Sequence, residues 1–211
     1  AHKGTILDGE LVDDKLLMVY DAVMVSGESV MELDLLGRLS KAALFIKGIM
    51  RMAKDPITVK LKTFMDAKCI AQFHAEVIPK LPYKTDGLVF TPVNEPVRIG
   101  THETMFKWKP RDMNTIDFQV KWHRDRWCLY IQDRGVLIFE SEIRNAEPFK
   151  DLLKEDAIVE CQYMIDDKPI WWKPVGVRTD KKHPNNRRTF YRTMVNVREN
   201  IQWEEFASMY Q

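Results

Sequence analysis

Along residues 5–12, TILDGELV, and residues 15–25, KLLMVYDAVMV, apolar side chains alternate or run together, and the intervening DDK is a turn signal. The pair predicts a β-hairpin. In DLLGRLSKAALFIKGIMRMAK, from Asp34, the apolar residues Leu35, Leu36, Leu39, Ala43, Ile46 and Met50 recur at helical spacing, which predicts a helix stopped at Asp55-Pro56. ITVKLKTF alternates as a strand, AQFHAEVI reads as a short helix, and TDGLVFTPV and TMFKWKP read as strands again. Strands and helices mixed without strict alternation indicate α+β organisation.

Pro110 marks a change of pattern. From Thr115 nearly everything is short strand: IDFQVKWH, RWCLYIQ, GVLIFES, a helical EPFKDLLKE, then AIVECQYMI and KPIWWKPVGVR. The turns HRDR and QDRG suit hairpins. Strands broken by one helix within so short a span fit a small barrel of the OB type. The last segment, PNNRRTFYRTMVNVRENIQWEEFASMYQ, predicts one or two helices with Pro184 ahead of them. The expected division is therefore 1–110 and 111–211, and no internal repeat or low-complexity tract interrupts it.

Composition adds little: 211 residues, 45% hydrophobic and 30% charged, suit one large or two small folded domains. Cys69, Cys128 and Cys161 are odd in number, far apart and without C-x-x-C spacing, so they read as reduced thiols of an intracellular protein. Cys128 and Cys161 lie in apolar runs and read as core filler. No apolar run approaches the roughly 20 residues that span a bilayer, and no signal-peptide pattern opens the chain. It begins instead almost directly in a strand. The net charge of +1 advertises no partner. Its distribution does: Lys173, Arg178, Lys181, Lys182, Arg187, Arg188, Arg192 and Arg198 face Asp180 alone between Trp171 and Arg198. Such a patch attracts phosphate, although a solvated charged face is its bland explanation.

Three clusters carry candidate chemistry. In KWK, the strand period puts Lys107 and Lys109 on one face and Trp108 on the other, and two ammonium groups aimed together favour an anion such as phosphate between them. In DGE, Asp8 and Glu10 share a face across a glycine that permits close approach, and Asp86-Gly87 repeats the acid–glycine element. Carboxylates opposite paired lysines suit a nucleotide with Mg²⁺ or Mn²⁺, although each acid alone also reads as a strand-end turn residue. In RTDKKHPNN, Arg178, Lys181 and Lys182 could clamp a polyphosphate, with Asp180 orienting an arginine or a metal-bound water.

TILDGELV, VYDAV, DGLVFTP, MFKWKP and VRTDKKHPN together resemble the ordered motifs of the covalent nucleotidyltransferases, the superfamily of mRNA capping guanylyltransferases and ATP-dependent polynucleotide ligases. KWKP and the proline-asparagine after RTDKK are similar to the capping branch. The resemblance implies a portion of an ATP-grasp-like nucleotidyltransferase domain followed by an OB-fold β-barrel, with the nucleotide in a cleft that closes. It further implies that Glu10 contacts ribose or helps hold the metal, with Asp8 beside it. Tyr20 would stack on the purine and Asp86 would serve the metal. Lys107 and Lys109 would hold the α-phosphate, and Arg178, Asp180 and Lys181 would grip the β- and γ-phosphates. Arg38 is assigned no role. The implied reaction attaches GMP from GTP to a lysine and passes it to the 5′-diphosphate end of RNA, splitting one displacement into two. Implied partners are GTP, RNA, an RNA triphosphatase, a cap methyltransferase or RNA polymerase, in the nucleus or at a viral replication site, and no membrane.

In YKTDGLVF, Lys84 precedes Asp86-Gly87 in the K-x-D-G spacing of a nucleotide-accepting lysine. The family's motif continues to an arginine where Val89 stands, and it precedes the DGE strand rather than following it. Lys84 is therefore read as incidental. The nucleophile is expected upstream of Ala1, in a longer enzyme of which this chain is the C-terminal portion. The rival readings are an ATP-dependent ligase, a structural subunit of a multi-activity capping protein, and a non-catalytic RNA-end-binding module. Exposed aromatics among Trp122, Trp127, Trp171 and Trp172 would favour the last, and core packing is their ordinary role.

Overall fold

The computed structural model describes residues 3–49 and 54–209. They form two compact units, one ending at Trp108 and the other running from Lys109 to Met209. The architecture is mixed α/β and mostly sheet.

The first unit is built on the predicted hairpin, β1 (Ile6–Val12) with β2 (Leu16–Val25). Asp13 and Asp14 both take positive φ, as the central residues of a tight primed turn do, and Lys15 N–H donates to Val12 C=O at 3.1 Å. A two-residue strand, β3 (Glu28–Ser29), adds to β2. Helix α1 (Leu35–Gly48) follows, its first turn capped by Asp34, whose carboxylate accepts from Gly37 N–H at 2.7 Å. The spacing predicted a longer helix. It stops at Gly48, a poor helix former, and Met50 lies outside the described residues. Strand β4 (Thr58–Leu61) then pairs parallel to β2. Val19, Ala22 and Val25 of β2 pack with Val30 and with Ala42 of α1, and Leu7, Phe45, Ile46 and Val59 close the edges of this core.

AQFHAEVI is helical as predicted but irregular. A 3₁₀ turn at Ala67–Cys69 leads into α2 (Ile70–Gln72), a π-helical Phe73–Val77 and a second 3₁₀ turn at Ile78–Lys80. Pro79 in that last turn cannot donate to a regular ladder. Strands β5 (Leu88–Phe90) and β6 (Phe106–Trp108) form a separate two-stranded ribbon in which Val89 pairs with Lys107.

The second unit holds β7 (Thr115–His123), β8 (Arg126–Asp133), β9 (Val136–Glu142), β10 (Ile158–Met164) and β11 (Trp171–Val177). All pair antiparallel, in the order β11-β10-β7-β8-β9. The HRDR and QDRG turns are two-residue connections with positive φ at Arg124, Asp125, Arg134 and Gly135. EPFKDLLKE departs from expectation: only Glu147–Phe149 is helical, as one 3₁₀ turn. Leu153, which is buried, anchors a loop instead. Helix α3 (Arg187–Glu199), capped by Asn186, buries Phe190, Met194 and Val197, and α4 (Trp203–Ser208) follows. Phe118 lies at the centre of this core, edge-on to Trp172 at 4.9 Å and to Phe190 at 6.3 Å.

Candidate nucleotide-binding surfaces

The DGE element owes its shape to an irregularity between β1 and β2. Asp8 pairs with Asp21 but Gly9 pairs with Val19, which leaves Tyr20 as the extra residue of a bulge. Gly9 is required there. A Cβ at this position would sit 2.9 Å from Met18 carbonyl oxygen and 3.1 Å from a Leu17 methyl carbon. The bulge turns Tyr20 toward β1, and its hydroxyl donates to Asp8 Oδ1 at 2.8 Å. Desolvation, that hydrogen bond and the nearby charges of Asp8, Glu10 and Asp21 push the Tyr20 phenol up to about 12. Asp8, Glu10 and Tyr20 therefore belong to one electrostatic neighbourhood.

Two residues without an assigned role join it. Lys62, one residue past β4, places its Nζ 6.0 Å from the centroid of the Tyr20 ring, and its backbone N–H donates to Val19 C=O at 2.7 Å. Tyr83 has its phenol raised by burial and by the charge of Glu10. The signal for Lys62 was its place at the end of an alternating strand, but no sequence rule says which strand that one will join. Arg38 also gains a role. It is 3% exposed and donates to both oxygens of Asp21, at 2.6 and 3.0 Å, and to the carbonyls of Leu33 and Glu95. A buried guanidinium so satisfied ties β2, the start of α1 and the Glu95 loop together behind Tyr20.

Asp86 is exposed just before β5, and Lys84 is exposed two residues earlier. Lys107 is exposed on β6, beside the half-exposed Val89 on the same face of the ribbon, while Trp108 alternates to the other face. Strand β6 ends at Trp108, so the two-residue period that was to place Lys109 beside Lys107 does not extend to Lys109. Among the described residues no cluster of three or more His, Cys, Asp or Glu is arranged to hold a metal ion.

In the second unit, RTDKKHPNN is organised around a carboxylate that the sequence reading passed over. Asp117 of β7 is 4% exposed. Arg178 Nη1 donates to both of its oxygens at 3.2 Å, and Lys181 Nζ donates to Oδ2. The other edge of Arg178 grips Asp180, at 3.0 Å from Nε and 2.8 Å from Nη2. The hydrogen bonds to Asp180 and the charge of Asp117 raise the Arg178 pKa further, and the arginine holds Asp180 below the usual carboxylate range. Asn185 fixes the loop: its N–H donates to Asp117 C=O at 2.7 Å and its side-chain oxygen accepts from Asp117 N–H at 2.9 Å. A lone Asp in the apolar run TIDFQV was the available signal, since a buried carboxylate requires cationic partners.

The tryptophans divide. Trp172 is core and Trp127 and Trp171 are half-buried, but Trp122 is exposed at the end of β7, packed edge-on to Trp127 at 5.3 Å. Cys128 and Cys161 are buried, as core filler should be, and all three cysteines are free thiols. No helix among the described residues is long and apolar enough to cross a membrane.

Two protein-family models match the chain, one after the other. The model of the mRNA capping enzyme catalytic domain matches residues 1–111, and that of the mRNA capping enzyme C-terminal domain matches residues 113–207. The chain is 28% identical to the mRNA-capping enzyme subunit alpha of Schizosaccharomyces pombe over 97% of its own length and 59% of that protein. It is 25% identical to the mRNA-capping enzyme of Caenorhabditis elegans over 90% of its length and 34% of that protein, and 28% identical to that of Danio rerio over 86% and 33%. The chain thus spans between a third and three-fifths of the length of these relatives. With both family models matched in order across most of its residues, the chain belongs to the mRNA capping enzyme family.

Proposed function

We propose that this chain supplies the nucleotide- and phosphate-binding parts of an mRNA guanylyltransferase. The observation that carries the proposal is the DGE hairpin, where a bulge sets Tyr20, Asp8 and Glu10 side by side within a chain matched by both capping-enzyme models. A phenol ring held by a carboxylate is a preorganised stacking platform for a purine. Glu10 and Asp86 are the proposed ligands of Mg²⁺ or Mn²⁺. Such an ion takes one or two carboxylates and fills its other positions with phosphate oxygens and water, so it requires no larger carboxylate cluster. When bound it neutralises charge on the phosphates.

Lys107 and Lys109 hold the α-phosphate of GTP, and Arg178 and Lys181 bind the β- and γ-phosphates. Asp117 and Asp180 orient the arginine fork ahead of the ligand, which lowers the entropic cost of binding. The lysine that accepts GMP lies outside these residues. Its amine forms a bond to the α-phosphorus as pyrophosphate leaves, and the GMP then passes to the 5′-diphosphate of RNA. The domains of this reading are 1–110, a portion of the nucleotidyltransferase fold, and 111–211, an OB-fold barrel. The strand order of the second unit supports the barrel, because its first strand pairs with both its second and its fourth. An RNA triphosphatase, a cap methyltransferase and RNA polymerase are the proposed partners, in the nucleus or at a viral replication site.

The test is covalent labelling with α-labelled GTP and, in parallel, ATP, both with Mg²⁺. It is run on this chain alone and on a protein that joins it to the segment bearing the K-x-D-G lysine. We expect label from GTP only in the joined protein, and its loss in Lys107→Ala with the circular-dichroism spectrum unchanged. Label on this chain alone would make Lys84 the nucleophile. Label from ATP would replace the guanylyl reading with that of a ligase.

A further inference from the structure

Helix α3 presents a face that the nucleotide chemistry does not use. Phe190, Met194 and Val197 turn one side of it into the core. The opposite side carries Arg188 and Arg192, one helical turn apart, and Arg198 lies on its flank nearer the C-terminal end; all three are exposed. Among the described residues none of the three has an ion-pair or hydrogen-bond partner. Arg187 differs, because it reaches Asp133 at 3.3 Å and lies over the Tyr191 ring at 5.6 Å. Tyr191 and Val195 are interleaved with the arginines and are 54% and 50% exposed.

Four arginines against one glutamate, Glu199, make this helix strongly cationic in a chain whose overall charge is only +1. Three arginines facing water without carboxylates, with the Tyr191 ring held among them by the contact of Arg187, match what a single-stranded nucleic acid requires. Guanidinium groups take the phosphates, and the ring offers a stacking surface that tolerates any base. The charge is complementary to a polyanion, and the lack of internal partners means that no ion pair has to be broken to accept one.

We propose that the solvent face of α3, through Arg188, Arg192, Arg198 and Tyr191, binds the RNA strand behind its 5′ end, without regard to sequence. This deepens the capping reading, on which the identity of the polyanion as RNA rests. It gives the second unit a grip on the substrate separate from the Arg178–Asp117–Lys181 cluster.

The test is fluorescence anisotropy of this 211-residue chain with a 5′-fluorescein 15-nucleotide RNA of mixed sequence, titrated at several salt concentrations. The variants are R188A/R192A/R198A, the corresponding triple lysine variant and Tyr191→Ala. Three lost phosphate contacts should lower the slope of log K against log salt by about 2, at roughly 0.7 per contact for a single strand. We expect the triple alanine variant to bind at least tenfold more weakly at low salt, and the lysine variant to keep the wild-type slope. Tyr191→Ala should weaken binding at every salt concentration with the slope unchanged. All these positions are exposed, so the variants should keep the wild-type melting temperature, and an alanine variant that melts early would be replaced in the comparison by the charge-reversed R192E. RNA affinity and salt slope unchanged in a folded variant would overturn the proposal. So would RNA binding absent from the wild type while an acidic phosphopeptide binds and is lost with the arginines, which would assign the face to a protein partner. Labelling by GTP is read separately and needs no RNA. Failure of the labelling with α3-dependent RNA binding intact would therefore sink the guanylyltransferase reading alone.

Discussion

Tyr20 shows how one side chain can register its surroundings. Its hydroxyl donates to Asp8, and its phenol is pushed up to about 12, first by desolvation and then by that bond and the acids around it. A group whose folded pKa exceeds its unfolded value favours the native state while it stays protonated. That contribution is fully present below about pH 10 and is lost as pH climbs from about 10 toward about 12. The difference in tyrosinate absorbance between the wild type and Tyr20→Phe should accordingly titrate near 12, and Asp8→Asn should move it downward. A difference midpoint near 10 would show that Tyr20 is neither desolvated nor bonded to Asp8. VYDAV drew attention to Tyr20 through the family resemblance, but its carboxylate partner was not legible, because that depends on which residue of β1 falls opposite the bulge.

At the scale of elements, glycine, bulge and hairpin act together. The hairpin was readable from alternation and its DDK turn, and Gly9 from the need for close approach. The register shift that gives Gly9 its purpose was not readable, since either strand accepts an extra residue without changing its pattern. Gly9→Ala would drive a Cβ against Met18 carbonyl oxygen at 2.9 Å, a backbone atom that cannot rotate away. We expect it to destabilise the first unit by about 1–3 kcal/mol, the usual cost of overpacking, and to weaken GTP binding as Tyr20 and Asp8 separate. Urea unfolding checks the first effect. A midpoint equal to that of the wild type would mean that the strands relax at no cost. RTDKKHPNN teaches the same lesson from the other side. Its basic residues were evident, but their shape is set by Asp117, some 60 residues earlier in the chain and brought near only when β7 joins β10.

For the molecule as a whole, the two cores share no residue. One is made from β2, α1 and their neighbours, and the other from β7 to β11 with α3. A chain segment with its own closed hydrophobic core can fold alone. We expect residues 109–211, produced by themselves, to give the sheet-rich circular dichroism of the second unit and to unfold cooperatively. Without upstream residues the fragment should keep Phe118, Trp172 and Phe190 packed, which near-ultraviolet circular dichroism would report as a fixed aromatic signal. A featureless near-ultraviolet spectrum would show that the second core depends on the first hundred residues.

The main strands and helices, the two-part organisation, the family and the clusters of charged residues are legible in the sequence. Periodicity, turn chemistry and motif order are local properties that survive without coordinates. The packing of the folded chain sets which groups meet. It paired Asp117 with Arg178 and Lys181, brought Lys62 and Tyr83 to the DGE hairpin, and buried Arg38 against Asp21. It ended β6 before Lys109, and among the described residues it left Arg188, Arg192 and Arg198 of α3 without ion-pair partners. Each of these follows from register and packing between segments distant in the chain, where a shift of one residue exchanges the side chains that touch.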